Sequence, residues 1–351
     1  MREFGSTFEI DCLPDSYFAN MAKKMSYSAF TRSGREAIGL ALDSFEPGEV
    51  LIPAYCCWSM SMPFETSGWH ISYYPLKKDL SVDIPSLMSL LQSKRPKMVL
   101  LVDYFGYTLT IEAVHAIKSF DPEIIIMEDF TQCLFRIDEK FNPLVDCYVA
   151  SIRKSIGVPD GGVVLSSFPL NVGSLLNVRT QFVAKHLEAG VLKKKYAYSS
   201  DVELKNIFRS LQSEAGAEIK NDYKLYRISE ESMTILSNIN VSAVSYARKS
   251  NYEHLFNLVK DNPYFDVLFK PAKNSSPFMF VVKSKQRDLL QQSLAKQGVY
   301  CQVIWPVSEA AKEICPVAKE MEETMLAIPI DQRYDYCDIE EMGQRINSIK
   351  L

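Results

Sequence analysis

A lysine in a glycine-containing turn has the setting in this chain that best suits covalent chemistry. Lys154 stands three residues after Ser151, and a Gly161-Gly162 pair follows it. Short apolar runs on both sides of the turn are typical of buried strands, and the glycines allow the backbone to approach closely. A lysine held in this way could form a Schiff base with pyridoxal phosphate (PLP), and the serine hydroxyl could bind the phosphate of that cofactor. An ordinary surface lysine in a turn is the alternative interpretation.

A second group of polar residues follows one of the most apolar stretches of the chain. Residues 124–127 are typical of a buried strand, and Asp129 and Gln132 come directly after it. An aspartate at this place could pair with the pyridine nitrogen of PLP and keep it protonated, so that the ring can accept electrons. Gln132 could hydrogen-bond the ring oxygen of the cofactor. The alternatives are a routine aspartate at a strand end and a buried polar glutamine.

A serine and a glycine begin the first long helix that the sequence predicts. Ser33 followed three residues later by Glu36 is the pattern of a capping box, and apolar residues follow at helical spacing. Gly34 in the first turn leaves the helix N-terminus open to an anion, so the backbone around Gly34 and Arg35 could bind a phosphate. The same pattern also fits a helix that is simply well capped.

The elements around these residues predict an α/β fold. Four continuous apolar runs precede the lysine turn, at 50–52, 71–74, 98–102 and 124–127. Runs without polar alternation, separated by helical segments, are typical of a three-layer, mostly parallel sheet with helices on both faces. Ligands bind beyond the carboxyl ends of such strands. We therefore expect Pro53, Asp103 and Asp129 at the same edge as the lysine turn.

The last third of the chain has a different pattern. Residues 174–235 are predicted to form long helices, and later elements are a strand at 277–282, a helix at 289–297, a strand at 299–303 and a helix at 339–349. We predict a large cofactor-binding domain over residues 1–235, whose first 30 residues form an irregular arm. A smaller C-terminal α+β domain is predicted over residues 236–351.

Composition and charge exclude several classes of protein. The 351-residue chain is 47% hydrophobic and 23% charged, and its net charge of −4 gives no reason to expect nucleic acid or an anionic membrane as a partner. No apolar run approaches the roughly 18 residues that a membrane span needs, and residues 1–12 lack the pattern of a secretory signal. The eight cysteines and four histidines show no metal-ligand spacing. We expect reduced thiols, no metal site and a cytoplasmic location.

The order and spacing of several motifs resemble the DegT/DnrJ/StrS family of PLP-dependent sugar aminotransferases. The resemblance runs over most of the chain. The matching segments are Ser33-Gly34-Arg35, residues 53–68, Glu128-Asp129-Phe130-Thr131-Gln132, Lys154 with Gly162, Arg227-Ile228-Ser229-Glu230, Arg248-Lys249-Ser250-Asn251-Tyr252 and Ile328-Pro329-Ile330. The resemblance implies the aspartate-aminotransferase-like fold, also called fold type I, in a divergent member.

The resemblance also implies a reaction. The protein would move an amino group from an amino acid, with glutamate as the expected donor, to a nucleotide-linked keto-deoxysugar for surface polysaccharide biosynthesis. Lys154 would carry PLP, and Asp129 would pair with its ring nitrogen. A homodimer with its active site near the subunit interface is expected. Two alternatives remain open: another PLP enzyme that acts on amino acids, and a non-catalytic binding or regulatory protein with the same fold.

Four positions depart from the family pattern. One is Asp103, because Val102-Asp103-Tyr104 stands where the family usually has Val-His-Leu. Cys57 stands where an aromatic side chain usually stacks on the cofactor ring, so Cys57 and its neighbour Trp58 are the candidates for that contact. The phosphate-binding serine of the family is replaced by Val149, and Ser151 is expected to take its place beside Ser33, Gly34 and Arg35. Leu225 replaces an asparagine that is usually lent across the dimer to the phosphate. The partner's contribution to the phosphate is therefore expected to differ from the family's usual one.

Overall fold

The computed structural model describes residues 16–199, 201–273 and 275–351. Within these ranges the strands are β1 Tyr27–Thr31, β2 Glu49–Pro53, β3 His70–Tyr74, β4 Met98–Val102, β5 Ile125–Asp129, β6 Cys147–Ser151, β7 Gly162–Ser166, β8 Asp266–Val267, β9 Phe280–Lys283 and β10 Met325–Ile328. The α-helices are α1 Tyr17–Ala22, α2 Gly34–Leu42, α3 Trp58–Thr66, α4 Ile84–Lys94, α5 Ile111–Phe120, α6 Ile137–Lys140, α7 Thr180–Ser199, α8 Val202–Asn221, α9 Glu230–Asn238, α10 Val241–Val259, α11 Arg287–Lys296, α12 Glu309–Ile314, α13 Pro316–Thr324 and α14 Tyr336–Asn347.

A seven-stranded sheet forms the centre of the molecule, in the order β1-β7-β6-β5-β4-β2-β3. Strands β2 to β6 are mutually parallel, whereas β7 runs antiparallel to both β6 and β1. Every residue of β4, β6 and β7 is buried, as expected for strands covered by helices on both faces. The mostly parallel α/β sheet predicted from the apolar runs is confirmed.

The parallel strands bring the ends of several motifs to one edge. Val102 at the end of β4 lies opposite Asp129 at the end of β5, and Asp129 lies opposite Val149 near the end of β6. β2 ends at Pro53 on the same side. This carboxyl edge is the place where open parallel sheets bind ligands.

A second, smaller sheet lies in the C-terminal part of the chain. Its three strands are antiparallel in the order β10-β9-β8. A separate apolar cluster covers it and includes Tyr252 and Leu255 of α10, Phe280 of β9, Leu326 of β10 and Ile339 of α14. These elements have the α+β character that the sequence predicted for this part. The boundary between residues 235 and 236 stays a prediction.

The predicted strand at 299–303 is wrong. Gln302 makes two backbone hydrogen bonds with Ala327 of β10, at 2.9 and 2.8 Å, and this contact remains an isolated bridge. The chain then leaves the sheet, and residues 302–305 line a cleft instead. An apolar run cannot reveal whether it faces a sheet or a cleft, so the local pattern was misleading.

The predicted irregular arm is also partly wrong. α1 and β1 occupy residues 17–31, and β1 pairs antiparallel with β7 along its whole length. Phe18 of α1 is almost fully buried. β1 is an edge strand in which polar residues stand among the apolar ones. No clear alternation of apolar and polar residues therefore marks it as a strand in the sequence. Residues 1–15 of the predicted arm lie outside the described residues.

Two 20-residue helices, α7 and α8, follow the central sheet and contact each other along their length. They confirm the long helices predicted over 174–235, and a small apolar cluster of Phe182, Val183, Ala215 and Ile219 joins them. Among the described residues no helix has both the length and the apolar character to cross a membrane. The same residues contain no cluster of side chains suited to hold a metal ion.

Candidate active site

Lys154 lies in a short 3₁₀ turn, Ile152–Lys154, directly after β6. The turn is anchored by Ile152, which is fully buried and whose backbone N–H donates to Gly161 O at 3.0 Å. Gly161 has a φ of +154°, which favours glycine. A Cβ on Gly161 would lie 3.2 Å from Ile152 Cβ. The anchored backbone leaves the Lys154 side chain exposed at the mouth of a cleft of about 360 Å³.

Asp129 ends β5 beside this turn and is 8% exposed. Its Oδ1 accepts a hydrogen bond from Thr131 N at 2.8 Å, and Thr131 Oγ1 accepts one from Ser151 N at 2.9 Å. These bonds tie the end of β5 to the end of β6. Burial raises the pKa of Asp129, and the nearby charge of Lys154 opposes that shift. The two residues are therefore close enough to interact, as the sequence predicted.

Gln132 is buried and lines the cleft with Lys154. Its Oε1 accepts a hydrogen bond from Phe105 N at 2.5 Å, so the amide group has a fixed orientation. Asp103, which follows β4 at the same edge, is fully buried and pairs with Lys140. Asp103 is thus engaged by a structural ion pair.

The capping box predicted at the start of α2 does not form. Ser33 occupies the N-cap position, but its side chain makes no capping hydrogen bond. The carboxylate of Glu36 instead accepts from Arg32 Nε at 2.7 Å and from Tyr226 N at 3.3 Å. Arg32 is 1% exposed, and a buried guanidinium needs a carboxylate more than a helix end does. A correct helix start was therefore predicted for the wrong reason.

The first turn of α2 lies against the end of β6. A Cβ added to Gly34 would stand 2.8 Å from Ser151 Cβ and 2.9 Å from Ser151 N, and one added to Gly162 would stand 2.3 Å from the carbonyl of Ser33. Two glycines are required for this close contact. It brings Ser33, Gly34 and Arg35 next to Ser151, as the predicted phosphate site demands.

Cys57 and Trp58 stand at the start of α3. Cys57 is buried, and its Sγ lies 2.9 Å from Ser59 Oγ. Trp58 is 48% exposed, and the Arg35 guanidinium lies 5.0 Å from the centre of its ring. Both residues are therefore near the start of α2. Their predicted contact with a cofactor ring stays a prediction.

The cleft has an aromatic lining that the sequence did not single out. Trp305 and Phe278 contribute to it, and the ring of Trp305 lies 5.3 Å from that of buried Tyr55. Trp305 follows the run mistaken for a strand. Pro306 follows Trp305 and cannot donate a hydrogen bond to a sheet, and this was the available sequence signal against a strand in this segment.

Arg248 connects the C-terminal part to the lysine turn. Its NH2 donates to Ser155 O at 3.1 Å, and its NH1 donates to Phe278 O at 3.0 Å. Gln332 Nε2 donates to the same Ser155 oxygen at 3.0 Å. Two side chains distant in sequence thus hold the residue that follows Lys154. The resemblance motif that begins at Arg248 has a structural basis in these bonds.

A second resemblance motif holds the loop on the other side of the turn. Ser229 donates to the Asp160 carboxylate through both its backbone N–H, at 3.0 Å, and its hydroxyl, at 2.6 Å. Ser232 Oγ donates to the same carboxylate at 2.5 Å. Asp160 directly precedes the Gly161-Gly162 pair. The lysine turn is therefore fixed from two sides by residues after position 225.

No protein-family model and no curated protein matches this chain. The sugar aminotransferase CalS13 from Micromonospora echinospora superposes with a TM-score of 0.65 at 14% identity, over 97% of this chain and 92% of that one. The chain has the fold of the sugar aminotransferases.

Two further solved structures support the same fold. A DegT DnrJ EryC1 StrS aminotransferase from Brucella abortus has a TM-score of 0.64 at 16% identity, over 94% of this chain and 88% of that one. The putative sugar aminotransferase Spr1654 from Streptococcus pneumoniae, in its PLP form, has a TM-score of 0.64 at 13% identity, over 94% and 88%. The resemblance predicted from the motifs is thus confirmed at the level of the fold.

Proposed function

We propose that this protein is a PLP-dependent aminotransferase that moves an amino group from an amino acid to a nucleotide-linked keto-deoxysugar. One observation carries the proposal. A lysine in a turn held from two sides faces a cleft beside a buried aspartate, at the carboxyl edge of a sheet with the sugar-aminotransferase fold. That edge is where such sheets bind ligands.

The residues present fit PLP. Lys154 supplies the amine for covalent attachment, and Asp129 supplies a carboxylate for the ring nitrogen. Gly34 leaves room beside Ser151 that any Cβ would fill, and the N-terminus of α2 favours an anion there. Ser33, Gly34, Arg35 and Ser151 would hold the phosphate.

When bound, PLP supplies an electron-accepting ring for the electron pair that develops at the Cα of the amino-acid donor. The Lys154 amine would remove the proton from that Cα as a general base and deliver it to C4′ of the cofactor as a general acid. Asp129 would hold the proton on the ring nitrogen, because a carboxylate beside a cation favours the charged forms by about 1–3 pKa units. Gln132 would orient the ring through its fixed amide.

The sugar acceptor is proposed from two sources of support. The motif resemblance implies it, and CalS13 and Spr1654 are described as sugar aminotransferases. The cleft beside Lys154 has a volume of about 360 Å³ and is lined by Phe278, Gln302 and Trp305. Such a lining suits a partly apolar ring with a few polar contacts.

Glutamate as donor, a role in surface polysaccharide biosynthesis, a cytoplasmic location and a homodimer complete the proposal on the resemblance alone. Light scattering tests the last of these, and an active monomer would contradict it.

The decisive experiment is the visible spectrum of the purified protein before and after glutamate is added. The protein should be yellow, and borohydride should attach the cofactor to a peptide that contains Lys154. Glutamate should convert the yellow form to the pyridoxamine form, and a keto-sugar nucleotide should restore it.

Other outcomes separate the alternatives. A colourless protein that PLP cannot reconstitute points to a non-catalytic binding protein. A spectrum unchanged by glutamate and other amino acids excludes transamination. Restoration by simple keto acids alone would move the enzyme to amino-acid metabolism.

A further inference from the structure

Three arginine side chains meet beside the first turn of α2 and offer more donors than the protein uses. Arg32 NH1, Arg35 Nε and Arg153 NH1 are each buried, and none has a hydrogen-bond partner among the described residues. Arg153 interacts electrostatically with both other arginines. Arg32 is buried, and Arg35 and Arg153 are partly buried. Since guanidinium groups repel one another, nearby negative charge stabilises such a group of three.

The carboxylates near Arg153 are already engaged. Glu36 accepts a hydrogen bond from Arg32 at 2.7 Å, and Asp160 accepts its hydrogen bonds from two serines. Burial raises the pKa of Glu36 to about 7, so this group carries only part of a negative charge at neutral pH. Glu36 forms its ion pair with Arg32, and among the described residues neither Arg35 nor Arg153 forms an ion pair of its own, although the charges of Glu36 and Asp160 act on Arg153.

His186 of α7 also faces Arg153 and does not change this balance. Burial, and then the charge of Arg153, lower the pKa of His186 to about 4, so the imidazole is neutral at physiological pH. Its buried Nε2 has no hydrogen-bond partner in the described part of the chain. The pocket around Arg153 thus offers donors and positive charge, which are the requirements of a bound anion.

We propose that Arg153, with Arg35 beside it, binds the phosphate group of PLP through its guanidinium and balances the charge of that group within one subunit. This inference rests on the proposed function, because it assigns a residue to the cofactor of that reaction. Arg153 directly precedes Lys154 and lines the same cleft. The N-terminus of α2, which also favours anions, lies against Ser151 only two residues earlier.

The charge of the phosphate distinguishes it from the other anion in the reaction. An amino-acid donor carries a carboxylate with one negative charge, whereas a phosphate ester carries about 1.5 to 2 near pH 7. Arg35 NH1 donates to Ile219 O at 2.9 Å, but Arg35 Nε and Arg153 NH1 have no hydrogen-bond partner among the described residues. Two guanidinium groups with donors to spare match the larger charge. Burial, followed by the charge of Arg35, lowers the pKa of Arg153, which is consistent with a cation that awaits an anion.

The test measures the binding of three probes, PLP, pyridoxal and inorganic phosphate, to the full-length protein and to its Arg153→Gln variant. Absorbance titration gives the dissociation constants of the two aldehydes, and the thermal unfolding midpoint reports phosphate. Arg345→Gln is the control for loss of an arginine charge away from the cleft, because Arg345 lies on α14, where it donates to Gln297 O and pairs with Glu341. Arg153→Lys keeps the charge without the planar fork.

We expect Arg153→Gln to raise the PLP dissociation constant about 10- to 100-fold, the range for loss of a charged hydrogen bond. Pyridoxal, which lacks the phosphate, should bind nearly as well as before. Phosphate should raise the unfolding midpoint of the wild type and of Arg345→Gln but not that of Arg153→Gln. Arg153→Lys should recover part of the PLP affinity, which a merely misfolded variant would not show.

Four results would overturn the inference. The first is equal PLP binding by the wild type and Arg153→Gln. In that case a borohydride adduct at Lys154 would still support the proposed function, so only the inference would fail. Parallel losses of PLP and pyridoxal affinity would show that the phosphate is not involved. A weaker affinity for glutamate with unchanged PLP binding would assign the pocket to the donor carboxylate. If the wild type itself forms no adduct with PLP, both the proposed function and the inference fail.

Discussion

Two carboxyl groups stand side by side at the end of β5, and their surroundings differ. Adjacent residues of a strand point to opposite faces of the sheet. Asp129 interacts with Lys154 and Thr131, whereas Glu128 is buried on the other side and accepts a hydrogen bond from Thr110 Oγ1 at 3.0 Å. The same dipeptide thus contains one candidate catalytic group and one structural group.

Replacing Asp129 with Asn should abolish most of the activity and leave the fold unchanged. The amide has the size of the carboxyl group and can still accept from Thr131 N, but it cannot hold a proton on the ring nitrogen as an anion does. We expect turnover to fall by about 100-fold or more, the range for loss of a positioned proton-transfer or charge partner. Single-turnover kinetics with glutamate measures it, and circular dichroism checks the fold. Near-normal turnover would remove Asp129 from the mechanism.

Replacing Glu128 with Gln should stabilise the protein at high pH relative to the wild type. Burial raises the pKa of Glu128 from 4.5 to about 7, so the folded wild type loses stability as pH rises through this window. The full effect is about 3 kcal/mol at most. Glutamine keeps an acceptor for Thr110 and has no charge to bury.

Urea unfolding of wild type and Glu128→Gln at pH 5 and pH 8 measures this difference. The variant should gain stability relative to the wild type between the two pH values, and Glu123→Gln, at an exposed position, should not. A pH-independent difference for Glu128→Gln would show that the buried carboxyl group does not titrate in this window.

The contact between α2 and β6 depends on glycine. Gly34→Ala would place a Cβ 2.8 Å from Ser151 Cβ, so the first turn of α2 must move away from the predicted phosphate site. We expect the PLP dissociation constant to rise by at least about tenfold, because the helix N-terminus and Ser151 would no longer face the same anion. Absorbance titration with PLP measures the change.

Gly190→Ala in α7 is the matched control. A Cβ there meets no heavy atom within 4 Å, and alanine in a helix interior should stabilise the protein by about 0.5–1 kcal/mol. Its PLP affinity should equal that of the wild type. A Gly34→Ala variant with wild-type affinity would place the phosphate elsewhere.

At the scale of the whole molecule, the C-terminal part of the chain holds the lysine turn in place. Arg248 donates three hydrogen bonds that join Gln332, Phe278 and Ser155. Lysine at this position would keep the charge and lose the fork of donors. We expect Arg248→Lys to lower the free energy of unfolding by about 1–3 kcal/mol, the cost of buried groups left unsatisfied, and to weaken PLP binding.

Urea unfolding and PLP titration measure both effects. Arg287→Lys is the control, since Arg287 donates to Glu322 O and pairs with Asp288 in the same part of the chain. It should keep the wild-type PLP affinity. If Arg248→Lys loses stability but keeps full PLP affinity, the contact with Ser155 does not position Lys154.

The sequence by itself determined the features that depend on short-range spacing. The parallel strands were predictable because continuous apolar runs have few other uses in a soluble protein. Asp129, Gln132, Ser151 and Lys154 could be assigned to one edge, because each directly follows such a run and parallel strands end together. The start of α2 at Gly34 was visible for the same local reason.

The tertiary structure alone decided the features that join distant segments. The carboxylate of Glu36 binds Arg32 instead of forming the predicted capping box, because a buried guanidinium needs a counter-charge. Arg248 binds Ser155, next to the lysine turn, from 93 residues away in sequence, and Trp305 lines the cleft just beyond the segment where a strand had been expected. Burial and charge balance depend on all the residues that surround a side chain in the folded protein. A local sequence pattern does not reveal them. For that reason the unpartnered Arg153 NH1 became visible only in the folded chain.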